Sequence, residues 1–110
     1  MDRNLRPVRA FDVHWRALDG GGVLVRLADQ RRFTLDEIGL VLWDRCDGEW
    51  SVGDLADELV RLFDVEPDQA AADVETFLID LEQAELIRLF AVPDVAAARR
   101  TAVDPASVVL

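Results

Sequence analysis

Along residues 11–18, FDVHWRAL, apolar and polar positions alternate: Phe11, Val13, Trp15 and Ala17 share one face, and Asp12, His14 and Arg16 the other. A period of two predicts a half-buried strand. Asp19-Gly20-Gly21-Gly22 follows, where glycine supplies the backbone angles a hairpin connection needs. VLVRLA (23–28) reads as the returning strand, Asp29-Gln30 as a second turn, and RRFTL (31–35) as a short third strand with Phe33 and Leu35 inward. The pattern therefore predicts a three-stranded antiparallel meander, preceded by an irregular arm over residues 1–10.

The period then changes to that of a helix. Thr34-Leu35-Asp36-Glu37 reads as a capping box with Thr34 as the N-cap, opening a helix over about residues 35–46 that Gly48 ends. LWDRCDGEWSVGDLADEL (42–59) continues as helix end, tight turn and capped second helix, the arrangement of a helix-turn-helix. Ser51 is its N-cap, Asp54 stands at the third helical position, and Trp50 and Leu55 suit a hydrophobic staple. Asp64-Val65-Glu66-Pro67 breaks that helix, with Pro67 fitted to the first turn of the next. The third helix runs over about 67–85, with Ala70, Val74, Phe77, Leu78, Leu81 and Ala84 on one stripe. Asp73, Thr76 and Asp80 flank that stripe, and Ile79 lies on the far side. Residues 85–90, ELIRLF, close the domain as a short extended return. Residues 91–110 read as a flexible extension with a helical turn around 94–100. The fold class is α+β, winged helix-turn-helix-like: a three-stranded antiparallel sheet followed by three helices, with the domain at 11–90.

Composition narrows what such a domain does. At 110 residues and 51% hydrophobic content, one modest core is expected. No apolar run nears the ~18 residues of a membrane span, and no apolar segment follows the N-terminal arginines as a secretory signal requires. With one cysteine and one histidine there is no disulfide and no zinc ligand set. A cytoplasmic protein without cofactor or membrane attachment fits these features. An enzyme is disfavoured, because Cys46 has no base partner and no carboxylates pair in a recognisable pocket.

Charge weighs against the obvious use of a helix-turn-helix. The net charge is −10, and every basic residue is arginine. Residues 1–32 carry seven Arg against four Asp, a balance of +3, and the remainder carries five Arg against eighteen acids, a balance of −13. The third helix holds Asp68, Asp73, Glu75, Asp80, Glu82 and Glu85 with no basic residue before Arg88. Such a surface repels phosphates, so no nucleic-acid partner is expected.

The strand-to-helix passage FTLDEIGLVLWDRCDG, the following WSVGDLADEL and the later DVETFLIDLEQAELI resemble the PqqD-like family, the RiPP recognition elements, over roughly residues 11–88. Cys46-Asp47-Gly48 matches a turn frequent in that family, and Phe77-Leu78-Ile79-Asp80-Leu81 its Phe-Leu-x-x-Leu segment. Leu35-Asp36 stands where Leu-Asn is common, a mild departure. The resemblance implies a non-catalytic peptide chaperone. It would hold the leader segment of a ribosomally made precursor peptide and present that peptide to a modifying enzyme, often a radical SAM enzyme. It also implies that the leader adds a strand to the edge of the third strand and lies in the groove beside the last helix.

The residues fit that use. Arg31 to Leu35 is the candidate edge, where a peptide can satisfy free main-chain groups. The candidate peptide-binding residues are Arg31, Arg32, Phe33, Thr34 and Leu35 on the strand, with Asp73, Val74, Thr76, Phe77, Leu78, Asp80 and Leu81 on the helix. Arg31 and Arg32 favour an acidic leader, and the helix acids a leader Arg or Lys. A plainer reading stands beside each. Val74, Phe77, Leu78 and Leu81 are also what a core stripe looks like, Arg31 and Arg32 what a protected edge looks like, and Asp73 and Asp80 what a solvated helix face looks like. Ile79 is either a stray surface residue or a docking point for the enzyme. A free edge also admits a homodimer, and a winged-helix protein–protein interaction or regulatory module is the alternative function.

Overall fold

In the computed structural model, residues 1–91 are described; the expected helical turn at 94–100 and the extension around it lie outside them. Strands β2 (Val13–Leu18), β3 (Gly21–Arg26) and β4 (Arg31–Asp36) form the antiparallel meander in the order β2-β3-β4. Three helices follow, α1 (Glu37–Asp44), α2 (Val52–Leu62) and α3 (Pro67–Gln83). The expected α+β order of sheet then helices is present. The first hairpin closes on the pair Leu18–Gly21 across Asp19-Gly20, with Gly20 at φ +78.

The N-terminal segment departs from expectation. Residues 5–9, expected to be irregular, form β1 (Leu5–Arg9), which pairs antiparallel with β5 (Ile87–Ala91) as a separate two-stranded ribbon. Leu5-Arg6-Pro7-Val8-Arg9 has no clean alternation and contains a proline, so no period betrays it. Pro7 is tolerated because its nitrogen points away from β5. On that side Gly48 N–H donates to the Pro7 carbonyl (3.1 Å) and Arg9 N–H to the Cys46 carbonyl (2.8 Å), so Cys46-Asp47-Gly48 abuts the strand. Gly48, at φ +88, makes that turn where a side chain would be strained.

The helix starts test the capping rules in two ways. Ser51 caps α2 as expected: its Oγ accepts from Asp54 N–H at 3.0 Å, and Asp54 Oδ2 accepts from Ser51 N–H at 3.0 Å. At α1 the expectation fails. Thr34 is not the cap, because β4 continues through Asp36 in register with Gly21; Asp36 is the N-cap, and its Oδ1 accepts from Gly39 N–H at 2.7 Å. A carboxylate there also meets the positive end of the helix, which a hydroxyl does not.

α3 ends two residues earlier than expected, at Gln83, in a Schellman arrangement. Leu86 N–H donates to the Leu81 carbonyl and Glu85 N–H to the Glu82 carbonyl, each at 2.9 Å. Glu85 holds the left-handed position at φ +61, where glycine is the usual residue. The turn drives Leu86 and Ile87 into the core and leads directly into β5.

The core joins Leu24 of β3, Leu42 and Trp43 of α1, Leu55 and Leu59 of α2, and Val74 and Leu78 of α3. Burying each such side chain contributes on the order of 1.5–3 kcal/mol. α1 rests on β3 and β4, and α2 packs against α3. The expected inward face of β2 does not follow this scheme. Val13 alone is buried; Trp15 is 38% exposed, Ala17 is exposed, and Phe11, outside the strand, is 97% exposed. The alternation is real, but among the described residues no helix extends over that end of the sheet.

Candidate functional site

β4 is an edge. One side pairs with β3 in the register Gly22–Leu35, Leu24–Phe33 and Arg26–Arg31, and among the described residues no strand pairs with the other. Its residues alternate as the pleat requires: Phe33 and Leu35 are half-buried against the core, whereas Arg32, Thr34 and Asp36 are exposed.

Two contacts fix how α3 lies beside this strand. Arg26, opposite Arg31, donates from Nη1 to the carbonyl of Ala84, the C-cap of α3. Gly39 of α1 sits between Leu35 and Phe77: a Cβ built on it would lie 3.4 Å from Leu35 Cβ and 3.3 Å from Phe77 Cε1. The start of β4 therefore faces the end of α3, and the end of β4 faces its middle. Strand and helix run antiparallel, with Gly39 as the floor of the groove between them. Any larger residue at 39 would fill that floor.

Electrostatics shape the lip of the groove. Arg26 is committed, bonding both carboxylate oxygens of Asp29 at 3.0 and 2.6 Å. Those bonds, with a further one from Arg31 N–H, lower the Asp29 carboxyl to about 2, and Asp29 in turn raises the Arg26 guanidinium. Arg26 and Arg31 hold their guanidinium carbons 5.6 and 5.1 Å from the centroid of the Phe33 ring, bracing it. Arg31 and Arg32 form no ion pair among the described residues.

The twelve expected binding residues divide into two groups. Arg31, Arg32 and Thr34 are exposed on the edge, with Phe33 and Leu35 half-buried beside them; Asp73, Thr76 and Asp80 are exposed on α3, and Phe77 is half-buried over Gly39. Val74, Leu78 and Leu81 are at most 5% exposed and belong to the core. They hold the groove from beneath and present no surface to a ligand. Gly39 and Arg26 were not singled out in the sequence, and Asp36 was read there only as a member of the Thr34 capping box and as the counterpart of a family asparagine. A signal existed for Gly39, since a glycine within a helical stretch costs about 1 kcal/mol relative to alanine and marks a close approach.

Other chemistry on the molecule is muted. Cys46 is fully buried, and burial pushes its thiol up to about 12, so it stays protonated and unreactive at neutral pH. Glu58 is buried between Arg61 and Arg45, which hold its carboxyl below the usual range; the Arg45 Nε–Oε2 distance is 2.9 Å. This network ties α1 to α2. Among the described residues no group of three or more His, Cys, Asp or Glu is placed to hold a metal, and no helix is long and apolar enough to cross a membrane. A concavity of about 690 Å³ lies away from β4, between the β1–β5 ribbon and the end of α3. Asp12, Glu82, Glu85 and Arg88 line it, a mixed set of charges.

Comparison with known proteins agrees with this fold. The family described as coenzyme PQQ synthesis protein D (PqqD) matches residues 21–87. A protein of Xanthomonas axonopodis pv. citri (strain 306), named PqqA binding protein, is 42% identical over 87 residues, covering 79% of this chain and 95% of its own. Among solved structures, TbiB1 in complex with the TbiA(beta) leader peptide aligns over 79% of this chain and 99% of that one, with TM-score 0.67 at 23% identity. Lasso peptide synthetase B1 complexed with the leader peptide aligns over 77% and 98%, with TM-score 0.66 at 19% identity. At such identities the two structures speak for the fold.

Proposed function

This chain belongs to the PqqD family, and we propose on that premise that it binds the leader segment of a ribosomally synthesised precursor peptide and presents the peptide to a modifying enzyme. The observation that carries the reading is the open edge of β4 with an apolar floor beside it, built from Phe33, Leu35, Gly39 and Phe77. An extended peptide added to that edge gains main-chain hydrogen bonds from β4 and places alternate side chains toward Phe77.

The role is that of a non-catalytic, cytoplasmic chaperone, and the modifying enzyme, radical SAM or another, does the chemistry. Three things support a binding role without catalysis: the unreactive Cys46, the carboxylates spread along solvated helices, and the relatives named for binding PqqA. The peptide-contacting set is Arg31, Arg32, Phe33, Thr34 and Leu35 with Asp73, Thr76, Phe77 and Asp80, while Val74, Leu78 and Leu81 hold it in shape.

The test is fluorescence polarisation of a labelled PqqA peptide, the ligand for which the relatives are named, with a scrambled peptide and a DNA duplex as controls. Saturable binding of the peptide alone, at about micromolar affinity or tighter, is the expected result. Equal binding of the scrambled peptide would remove the leader-reading role. Binding of the duplex would return the helix-turn-helix to nucleic acid.

A further inference from the structure

The β4 wall of the groove carries opposite charge at its two ends, whereas the α3 wall is acidic along its length. Arg31 and Arg32 stand at the start of β4, exposed and without an ion-pair partner among the described residues. The third arginine there, Arg26, is already neutralised by Asp29. Because Arg26 reaches the Ala84 carbonyl, this end of the strand faces the last turn of α3, where Asp80 and Glu82 are exposed and Glu85 follows close to Arg26. The basic character of this end therefore belongs to the strand wall, through the two free guanidinium groups. At the other end, Asp36 closes β4 and Asp73 lies one helical turn before Phe77, which overlies Gly39 beside Leu35. No basic residue lies among residues 33–44 or 67–83, so neither wall offsets these acids. The apolar floor of Leu35, Gly39 and Phe77 falls between the two ends.

We infer that the groove selects peptides by the order of their charges: a strand with a basic residue, then alternating apolar residues, then an acidic residue, read from its N-terminus and paired antiparallel to β4. The antiparallel direction follows from two features. The meander pairs every neighbour that way, and antiparallel ladders are slightly more stable per residue. In that direction the ligand's N-terminal basic residue meets Asp36 and Asp73, and its C-terminal acidic residue meets Arg31 and Arg32. Charge then fixes register and direction, while the main-chain bonds and the apolar floor supply attraction that is indifferent to order. The inference rests on β4 and α3 forming the peptide site, and goes beyond it by naming the ligand's chemistry and direction.

Three labelled synthetic peptides with the same alternating Leu/Thr centre test it by polarisation at low and high salt. One carries Arg-Arg at its N-terminus and Glu-Glu at its C-terminus, the second has these ends exchanged, and the third has Gln at both ends. The expected result is that the first binds about tenfold tighter than the second at low ionic strength, with the difference shrinking as salt screens the charges. In the double variant Arg31→Glu/Arg32→Glu both ends of the groove are acidic, and the preference for order disappears. Both positions are exposed, and thermal melting verifies that the variant folds; the wild-type comparison decides the matter even if it does not. Equal affinity for all three peptides overturns the charge order and leaves the groove as a binding site. Tighter binding of the exchanged peptide overturns the antiparallel direction. Failure of all three to bind overturns the groove itself, and the charge order with it.

Discussion

The three-stranded sheet has two open edges, and only one of them is a groove. β2 and β4 both flank β3, both lack a second partner among the described residues, and both alternate apolar with polar side chains. Under β4, α1 brings Gly39 against Leu35 and α3 brings Phe77 against Gly39, so the strand edge continues into an apolar floor. Beside β2 there is no such floor among the described residues: Trp15 and Leu18 are 38% and 51% exposed. Free main-chain groups are therefore not enough to make a peptide site. A second wall is needed, placed where every other side chain of an added strand points.

The sharpest way to break this comparison is to charge the two apolar side chains that distinguish the edges. Phe77→Asp places an unpaired carboxylate in the floor beside β4 and should weaken leader binding by more than about 30-fold, the loss expected when an apolar anchor of ~2 kcal/mol or more is removed. Trp15→Asp on β2 should change affinity less than about twofold. Equal losses from both, measured by polarisation on variants whose melting shows them folded, would mean that the edges are equivalent.

Hydrogen exchange reads the same difference from the main chain. Saturating leader peptide should slow exchange about tenfold or more at outward-facing amides within residues 31–36, and leave residues 13–18 unchanged. Protection confined to the helices would argue for groove contacts without strand addition.

A change remote from both edges separates binding from global stability. Glu58 is held ionised by Arg61 and Arg45, so its contribution is fully present above about pH 4.5, its ordinary value, and is lost as the pH falls through its lowered native value. Glu58→Gln should reduce the melting temperature at pH 7 by about 4–8 °C, corresponding to ~1 kcal/mol, with the deficit shrinking in acid, while leader affinity stays within about twofold. A matching loss of affinity would tie the site to overall stability instead of to the β4 edge.

The smallest effect is expected at the turn that leads α3 into β5. Glu85→Gly relieves a left-handed residue of its Cβ clash and should raise stability by up to about 1 kcal/mol. A fall in melting temperature would show that the Glu85 carboxylate, which lies near enough to support the charge of Arg26, matters more than backbone strain.

Much of this architecture could be read from local pattern. The alternation of β3 and β4, the stripe of α3, the Ser51 capping box and the Pro67 start each depend on residues close in sequence, where spacing alone dictates which face is buried or which amide is capped. The acidic surface that speaks against phosphate binding is likewise a property of composition. The resemblance to the PqqD-like family could be read in the same residues, and it pointed to the β4 edge.

What the sequence could not supply came from partners far along the chain. β1 is a strand only because β5, eighty residues on, and the Cys46–Gly48 turn satisfy its backbone, so nothing within Leu5–Arg9 announces it. Asp36 displaced Thr34 as the cap because pairing with Gly21 kept β4 extended two residues further. β2 alternates as a buried strand does, yet stays exposed because no helix covers it among the described residues. The groove is also a tertiary product. The sequence placed Val74, Phe77, Leu78 and Leu81 on one stripe, but only packing decided that Phe77 lies over Gly39 while the other three sink into the core. Local pattern fixes which way a side chain faces along its own element, whereas which element it then meets depends on contacts that no short window of sequence contains.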